Sequence, residues 1–399
     1  MNVSEQWLRE WVDVDCDTQQ LSEQLTMAGL EVEGIEPASP GFSGVITARI
    51  ETVEKHPEAD KLKICQVSTG SGQDLKIVCG ASNVRAGLYV ALAPVGAVLP
   101  GNVTINASEL KGVTSEGTLC SAQELGLSEE SDGLMELPDD LVLGEELKDV
   151  LSLDDQIIEL LLTPNRGDCL SISGVAREIS VINNSEFKFK VIKAPDQISE
   201  QSRDVVINEP VACPRYVGQI IENVDISRPT PLWLSEKLRR CGLRSINPAV
   251  DITNFVMLEL GQPMHAFDND KLLGAIHVRY ASADEKLELL DGQECVLSTD
   301  ILVIADDNGV LAMAGIMGGQ ASAATENTSN IFLESAFFDP HAILGKARRY
   351  GLHTDSSHRF ERGVDFQIQK QAIDRAAQLI VEICGGQPGP IIEKLSDDD

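Results

Sequence analysis

Residues 44–80 read GVITARIETVEKHPEADKLKICQVSTGSGQDLKIVCG. The run is rich in β-branched residues and broken by Gly, Ser, Asp and Pro, the pattern of short strands separated by turns. STGSGQD, between Gln66–Val67 and Leu75–Val78, has the composition of a hairpin turn. YVALAPVGAVLP and VTINASELKG extend the same texture towards residue 112. Several short strands at such close spacing predict a small β-barrel. Lys61 and Lys63 alternate with apolar neighbours, so both are expected on one strand face. Such a face is either merely solvated or able to follow a nucleic-acid backbone.

Outward from this region the texture becomes helical. Ser4 is placed to cap a turn carrying Trp7, Leu8 and Trp11. Asp17 with Gln20 reads as a capping box ahead of Leu21, Leu25 and Ala28. On the other side, Asp154–Asn184 reads as helical: IIELLL, a TPNRGD loop, then SISGVAREISVI with Ile172, Val175, Ile179 and Ile182 at helical spacing. Lys188–Arg203 is polar and reads as a linker. A mixed α/β region follows. Thr230-Pro231 and Asn247-Pro248 are helix starts, and AIHVRYA, ILVIADDN, GVLAMAGIMGG and NIFLESAFF are strands. A helix over Gln367–Cys384 ends in the turn-rich CGGQPGP.

Composition sets bounds. The chain has 399 residues, a formal net charge of −31 and 43% hydrophobic residues, which excludes a disordered chain and predicts two to three domains. The longest nearly apolar run, Gly87–Leu99, is too short to cross a bilayer. MNVSEQWLREW shows no basic segment ahead of an apolar core, so no secretory signal is expected. Nine cysteines without a C-x-x-C pair predict reduced thiols rather than a disulfide framework or a zinc site. The acidity argues against nucleic-acid binding by the chain as a whole. It is unevenly spread: residues 44–120 hold seven basic and seven acidic residues, whereas 121–150 hold ten acids and one Lys.

The most informative residue is Glu334. In NIFLESAFF, alternation puts Phe332, Glu334, Ala336 and Phe338 on one face and Ile331, Leu333, Ser335 and Phe337 on the other. Neither face is polar, so the carboxylate needs a partner. It either forms a buried ion pair with an Arg or accepts a hydrogen bond from a ligand. Gly315, Gly318 and Gly319 form a tight loop that lacks the Lys-Ser/Thr of a phosphate-binding loop. His265 is either a packed structural histidine or a proton-transfer group. Residues 345–365 hold a dense basic cluster, Lys346, Arg348, Arg349, Arg359 and Arg362, which is either a solvated helix face or a phosphate contact.

HPEADKL, VCGASNVRAG and SEGTLCSAQELGL resemble the OB-type tRNA-binding module of several synthetases. In order after them come TPNRGDCLSISGVARE, NPAVDITNFVMLELGQPMHAFD, LDG, MAGIMGG, LESAFFDP and TDSSHRFERGVD. The ordered set resembles the N-terminal half of the β subunit of bacterial phenylalanyl-tRNA synthetases over essentially the whole chain. The resemblance implies a multidomain α+β fold: a small N-terminal α/β domain interrupted by an OB-type β-barrel, followed by a mixed α/β editing domain. The boundaries expected are 1–39 and 151–200 for the N-terminal domain and linker, 40–150 for the barrel, and 201–399 for a B3/B4-type editing domain.

The function implied is proofreading of mischarged Tyr-tRNA(Phe) together with tRNA binding. The aminoacylation site lies on the α subunit of an α2β2 heterotetramer. No metal or cofactor is expected on this half, with ATP and Mg2+ serving the complete cytoplasmic enzyme. Glu334 would accept the phenol of a mischarged tyrosine and Gly318 would admit its ring. Asn254, His265 and Thr354 would position ribose, ester and water, His265 being the best protein candidate for a base. Arg244 would meet the terminal adenosine or a phosphate. Ser356 stands where the family often has Ala, and Glu58 where the barrel motif commonly has Asn. Lys61, Lys63, Arg348 and Arg349 are the expected tRNA contacts. The competing reading is a non-enzymatic tRNA-binding and assembly module.

Overall fold

The computed structural model describes residues 1–129 and 133–396. The chain divides into two units, Glu36–Gln156 and the combination of Met1–Ile35 with Ile157–Asp399.

In the first unit the hairpin read from the sequence is present. Strands Lys63–Ser68 and Leu75–Cys79 pair antiparallel with Gln66 opposite Lys76. The sheet runs Gly117–Cys120, Tyr89–Pro94, Ile46–Lys55, Lys63–Ser68, Leu75–Cys79, and Glu136–Leu137 also pairs with Tyr89–Pro94. Its two ends return to each other. The Glu116 N–H donates to the Lys76 carbonyl at 2.9 Å, and the Val78 N–H donates to Ser115 Oγ at 3.0 Å. The sheet therefore curls into a barrel-like form around Ala48, Ile50, Cys65, Val67, Ile77 and Val90, all wholly buried. One expectation is corrected: the strand begins at Lys63, and Lys61 lies in the turn ahead of it.

In the second unit, Ser4 accepts from the Trp7 N–H, and Asp17 and Gln20 make the reciprocal capping box. IIELLL is not helical. Gln156–Leu161 is a strand with alternating burial, between Asn2–Ser4 and Glu31–Pro37. A short run this rich in apolar residues supports either period, and here pairing with the N-terminal strand decides. Helix Pro248–Leu260 starts as expected: Asn247 Oδ1 accepts from the Val250 N–H, and Gly261 ends it in the left-handed region at φ 84°. Thr230 does not cap the preceding helix, Leu232–Arg240; its hydroxyl donates to the wholly buried Asp251.

Two sheets carry this unit. One runs His265–Asp268, Ile331–Phe337, Arg215–Glu222, Gln387–Leu395. The last strand occupies what the sequence marks as a turn, and its Pro388 and Pro390 fit an edge position, where a missing N–H costs no ladder bond. The other runs Val205–Ile207, Ile276–Tyr280, Leu302–Asp306, Gly309–Met313, Met317–Gly318. One apolar core joins Trp7, Leu21, Ile172, Phe255, Leu333 and Ile373, so the expected boundary at 200/201 falls inside a continuous packing unit. All nine cysteines are free thiols. Among the described residues no helix is long and apolar enough to cross a membrane.

Candidate functional site

A cavity of about 200 Å³ opens between the two sheets of the larger unit. Asn254, His265, Gly315, Gly318, Glu334 and Ser356 line it, together with Phe360 and the aliphatic side chains of Val250, Leu290 and Ile304. These residues come from segments more than a hundred positions apart.

Strand register brings the two titratable groups together. Glu334 stands directly across from His265 on one side and from Gly218 on the other. Directly opposed residues of an antiparallel pair share a face. Tyr216, two residues before Gly218, is therefore a diagonal neighbour of Glu334, and its phenol donates to Glu334 Oε2 at 2.8 Å. Tyr216 is wholly buried and Glu334 is 7% exposed. Among the described residues no Arg or Lys pairs with this carboxylate, so the buried ion pair allowed by the sequence is not present. Burial pushes the Glu334 carboxyl up to about 7, against the opposing pull of the Tyr216 hydrogen bond. Burial and the Glu334 charge hold the Tyr216 phenol proton well above its ordinary range.

His265 is partly exposed as a residue, yet its Nε2 is sealed and without a partner. Its ring meets Phe267 edge-on at 4.4 Å. Burial lowers it to about 4. The imidazole is thus neutral across the physiological range. Gly318 lines the cavity and also abuts the histidine. A Cβ there would lie 2.5 Å from His265 Cε1 and 2.8 Å from Nε2. The missing side chain thus makes room for the histidine at the edge of the cavity that Gly318 lines.

The glycine loop is tied down from the N-terminus of helix Asp355–Arg362. Thr354 accepts from the Ser357 N–H as N-cap and donates to the Ile316 carbonyl at 2.9 Å. Ser356 donates to the Gly315 carbonyl at 3.0 Å. Ser356 reaches the cavity, whereas Thr354 stands behind its wall with its hydroxyl engaged. The Asn254 amide lines the cavity and has no partner among the described residues, so it can still donate and accept. Arg244 is exposed in the loop before helix Pro248–Leu260 and does not line the cavity.

The basic cluster is largely consumed internally. Arg349 pairs with Asp300 at 2.6 Å, and Lys346 joins the same carboxylate, which the two cations hold far below its usual range. Arg359 is buried, donating to the Leu170 carbonyl and to Asp355. Arg362 bonds His358. Arg348 is exposed and unpaired among the described residues. In the barrel, Lys61 is exposed and without a partner among the described residues, and Lys63 Nζ donates to the Val84 carbonyl at 3.0 Å. Asp168, Cys169 and Glu178 bring donor atoms together as a metal site would. The Arg166 guanidinium lies among them, 3.1 Å from each carboxylate.

Tyr216, the partner of Glu334, is not singled out by the sequence. Its strand, RYVGQIIE, is buried at six consecutive positions, and nothing local announces a contact to a residue 118 positions away.

Two family models match this chain. Residues 45–146 match a putative tRNA binding domain and residues 212–385 match the B3/4 domain. The class is thus a chain that couples a module of the tRNA-binding type to a B3/4 domain. Its whole length is 56% identical to the phenylalanine–tRNA ligase β subunit of Methylococcus capsulatus and 52% identical to that of Pectobacterium atrosepticum. The β subunit of Pseudomonas fluorescens is 54% identical over 397 residues. The chain spans about half the length of the curated relatives it matches. It is a relative of the phenylalanine–tRNA ligase β subunits and matches their N-terminal half.

Proposed function

We propose that this chain is the tRNA-docking and proofreading half of a phenylalanine–tRNA ligase β subunit, and that the cavity around Glu334 hydrolyses tyrosine esterified to tRNA(Phe). The reading takes 40–150 as an OB-type tRNA-binding domain and 201–399 as the editing domain. Amino-acid activation, with ATP and Mg2+, is left to the α subunit of a cytoplasmic α2β2 assembly. The need is physical. Tyrosine is phenylalanine plus one hydroxyl, and an apolar synthetic pocket rejects such an analogue by only about 10²-fold. A second site that must hydrogen-bond the hydroxyl discriminates further, because phenylalanine leaves its polar group unpaired.

One observation carries the reading: the buried Glu334 carboxylate faces a cavity with no cation beside it among the described residues, and its partner is a phenol. The contact asked of substrate tyrosine is the one Tyr216 already makes. A carboxylate has acceptor capacity for both. Around it, the neutral His265 packs beside the bound ring. Asn254, with an unsatisfied amide, orients the ester and a water. Thr354 and Ser356 hold the glycine loop that forms the opposite wall. The ester is already activated, so placement of water beside the ribose hydroxyl supplies most of the rate. His265, at about 4, is too weak a base to dominate. Arg244 and Arg348, both exposed, serve the terminal nucleotide and backbone phosphates, and Lys61 the barrel's RNA face.

The test is release of tyrosine from Tyr-tRNA(Phe) by the assembled synthetase. Glu334→Ala should slow it about 100-fold, the value of a lost hydrogen bond to a charged acceptor. Hydrolysis of Phe-tRNA(Phe), slow already, should not change. An unaltered rate and tyrosine preference would remove Glu334 from the recognition site.

A further inference from the structure

We propose that Tyr216 is the positioning residue of this pocket: by donating its phenolic proton to Glu334 Oε2 it fixes the carboxylate plane and leaves Oε1 as the one acceptor offered to a guest hydroxyl. The inference rests on the proofreading reading and deepens it.

The geometry supports each part. Tyr216 sits on the central strand Arg215–Glu222, paired on both sides, and is wholly buried, so its hydroxyl is held by the sheet itself. Its phenol lies 2.8 Å from Oε2, and Oε1 has no partner among the described residues. Gly218, directly across from Glu334, has no side chain to compete; the Phe332 ring fills that space, with Cζ 2.5 Å from where a Cβ would stand. The carboxyl is thus clamped on one edge and open on the other.

The direction of the Tyr216 bond matters as much as its presence. The phenol keeps its proton and so is a standing donor to Oε2, and a donated hydrogen bond favours the ionised carboxylate over the neutral acid. A protonated Glu334 would present an O–H that competes with the substrate's own. The other titratable groups facing Glu334 are His265 across the strand and the Cys213 thiol. His265 is neutral, and burial keeps Cys213 protonated. Among the described residues no neighbour other than Tyr216 favours the charged form. Tyr216 touches Glu334, not the reacting ester, and acts through it.

The experiment compares Tyr216→Phe with the parent. In the full 399-residue chain, with glutamate side chains carrying carbon-13 at the carboxyl and Glu334→Gln assigning the signal, the Glu334 titration midpoint should rise by about one unit in Tyr216→Phe. One unit is close to the net value of one hydrogen bond. In the assembled synthetase, Tyr-tRNA(Phe) deacylation by the variant should fall about fivefold at pH 7. The acid limb of its pH profile should move up by the same unit, and the deficit should close at alkaline pH. A purely structural role would lower the rate equally at every pH. 3-Fluorotyrosine at position 216, a stronger donor of nearly the same shape, should move the midpoint down, and keeps the test valid where the Phe variant folds poorly.

An unmoved midpoint with an unmoved acid limb would overturn the inference. A parent enzyme that releases no tyrosine, or whose release ignores Glu334→Ala, would overturn the proofreading reading instead, and the carbon-13 titration would still decide the role of Tyr216.

Discussion

The barrel at 36–156 and the unit formed by 1–35 with 157–399 bury different things. The barrel encloses an apolar cluster and keeps its cations outside, where Arg85 pairs with Glu136, Arg49 with Glu51, and Lys61 is exposed to solvent. The larger unit takes charges inward. Glu259 is held by Arg375 and Lys190, Asp251 by three donors, Arg359 by a carbonyl and Asp355. In that company Glu334 differs, because it alone of these groups faces a cavity and has only a phenol for a partner. A buried charge is by itself weak evidence of function. It becomes informative once its partners are known and found insufficient.

The contrast makes graded predictions. The largest effect is expected from Glu334→Ala, a loss of about two orders of magnitude in tyrosine release with tRNA affinity unchanged, measured by deacylation and by filter binding. Next is Gly318→Ala, whose added methyl must displace His265. It should cost about 1–3 kcal/mol of folding stability, read by urea denaturation, and reduce tyrosine release. Thr354→Ala removes a helix cap and the tether to Ile316, and should cost about 1 kcal/mol in the same assay.

Acidity should also separate the two groups in the cavity. Glu334 is raised from 4.5 to about 7, so its stabilising contribution is complete below pH 4.5 and lost as pH rises through 7. His265 is lowered from 6.5 to about 4, so its contribution is complete above pH 6.5 and lost as pH falls through 4. Their slopes oppose each other between pH 4.5 and 6.5. Glu334→Gln should therefore leave stability rising with pH across that window more steeply than in the parent, as a series of denaturation curves would show. The smallest effect belongs to the barrel. Lys61→Gln should weaken tRNA binding slightly and reduce the salt slope of the binding constant by about one.

The same contrast explains what could be read in advance. The barrel's hairpin is local: alternation and a turn rich in Gly and Ser suffice, and the register follows. Only the start of the strand, at Lys63 and not at Lys61, is set by the fold around it. In the larger unit the Asn247–Gly261 helix and the NIFLESAFF strand are also local and were legible. Their meeting was not. The pairing of Glu334 with His265 and the reach of Tyr216 depend on strand order, which no window of sequence contains. IIELLL carries no period to separate strand from helix, and Gln387–Leu395 hides an edge strand behind Gly and Pro. A glycine such as Gly318 shows in the sequence that space is needed, while the neighbour that needs it, His265, is set by the fold.

The most direct measurement is a crystal structure of this chain with tyrosine linked through a stable amide to 3′-amino-3′-deoxyadenosine, a mimic of the charged tRNA end. The phenol oxygen should lie within hydrogen-bonding distance of Glu334 Oε1, with Tyr216 still on Oε2 and Asn254 turned to the linkage. A tyrosyl ring bound outside this cavity, or inside it with its hydroxyl turned away from Glu334, would contradict the proposed role of the carboxylate.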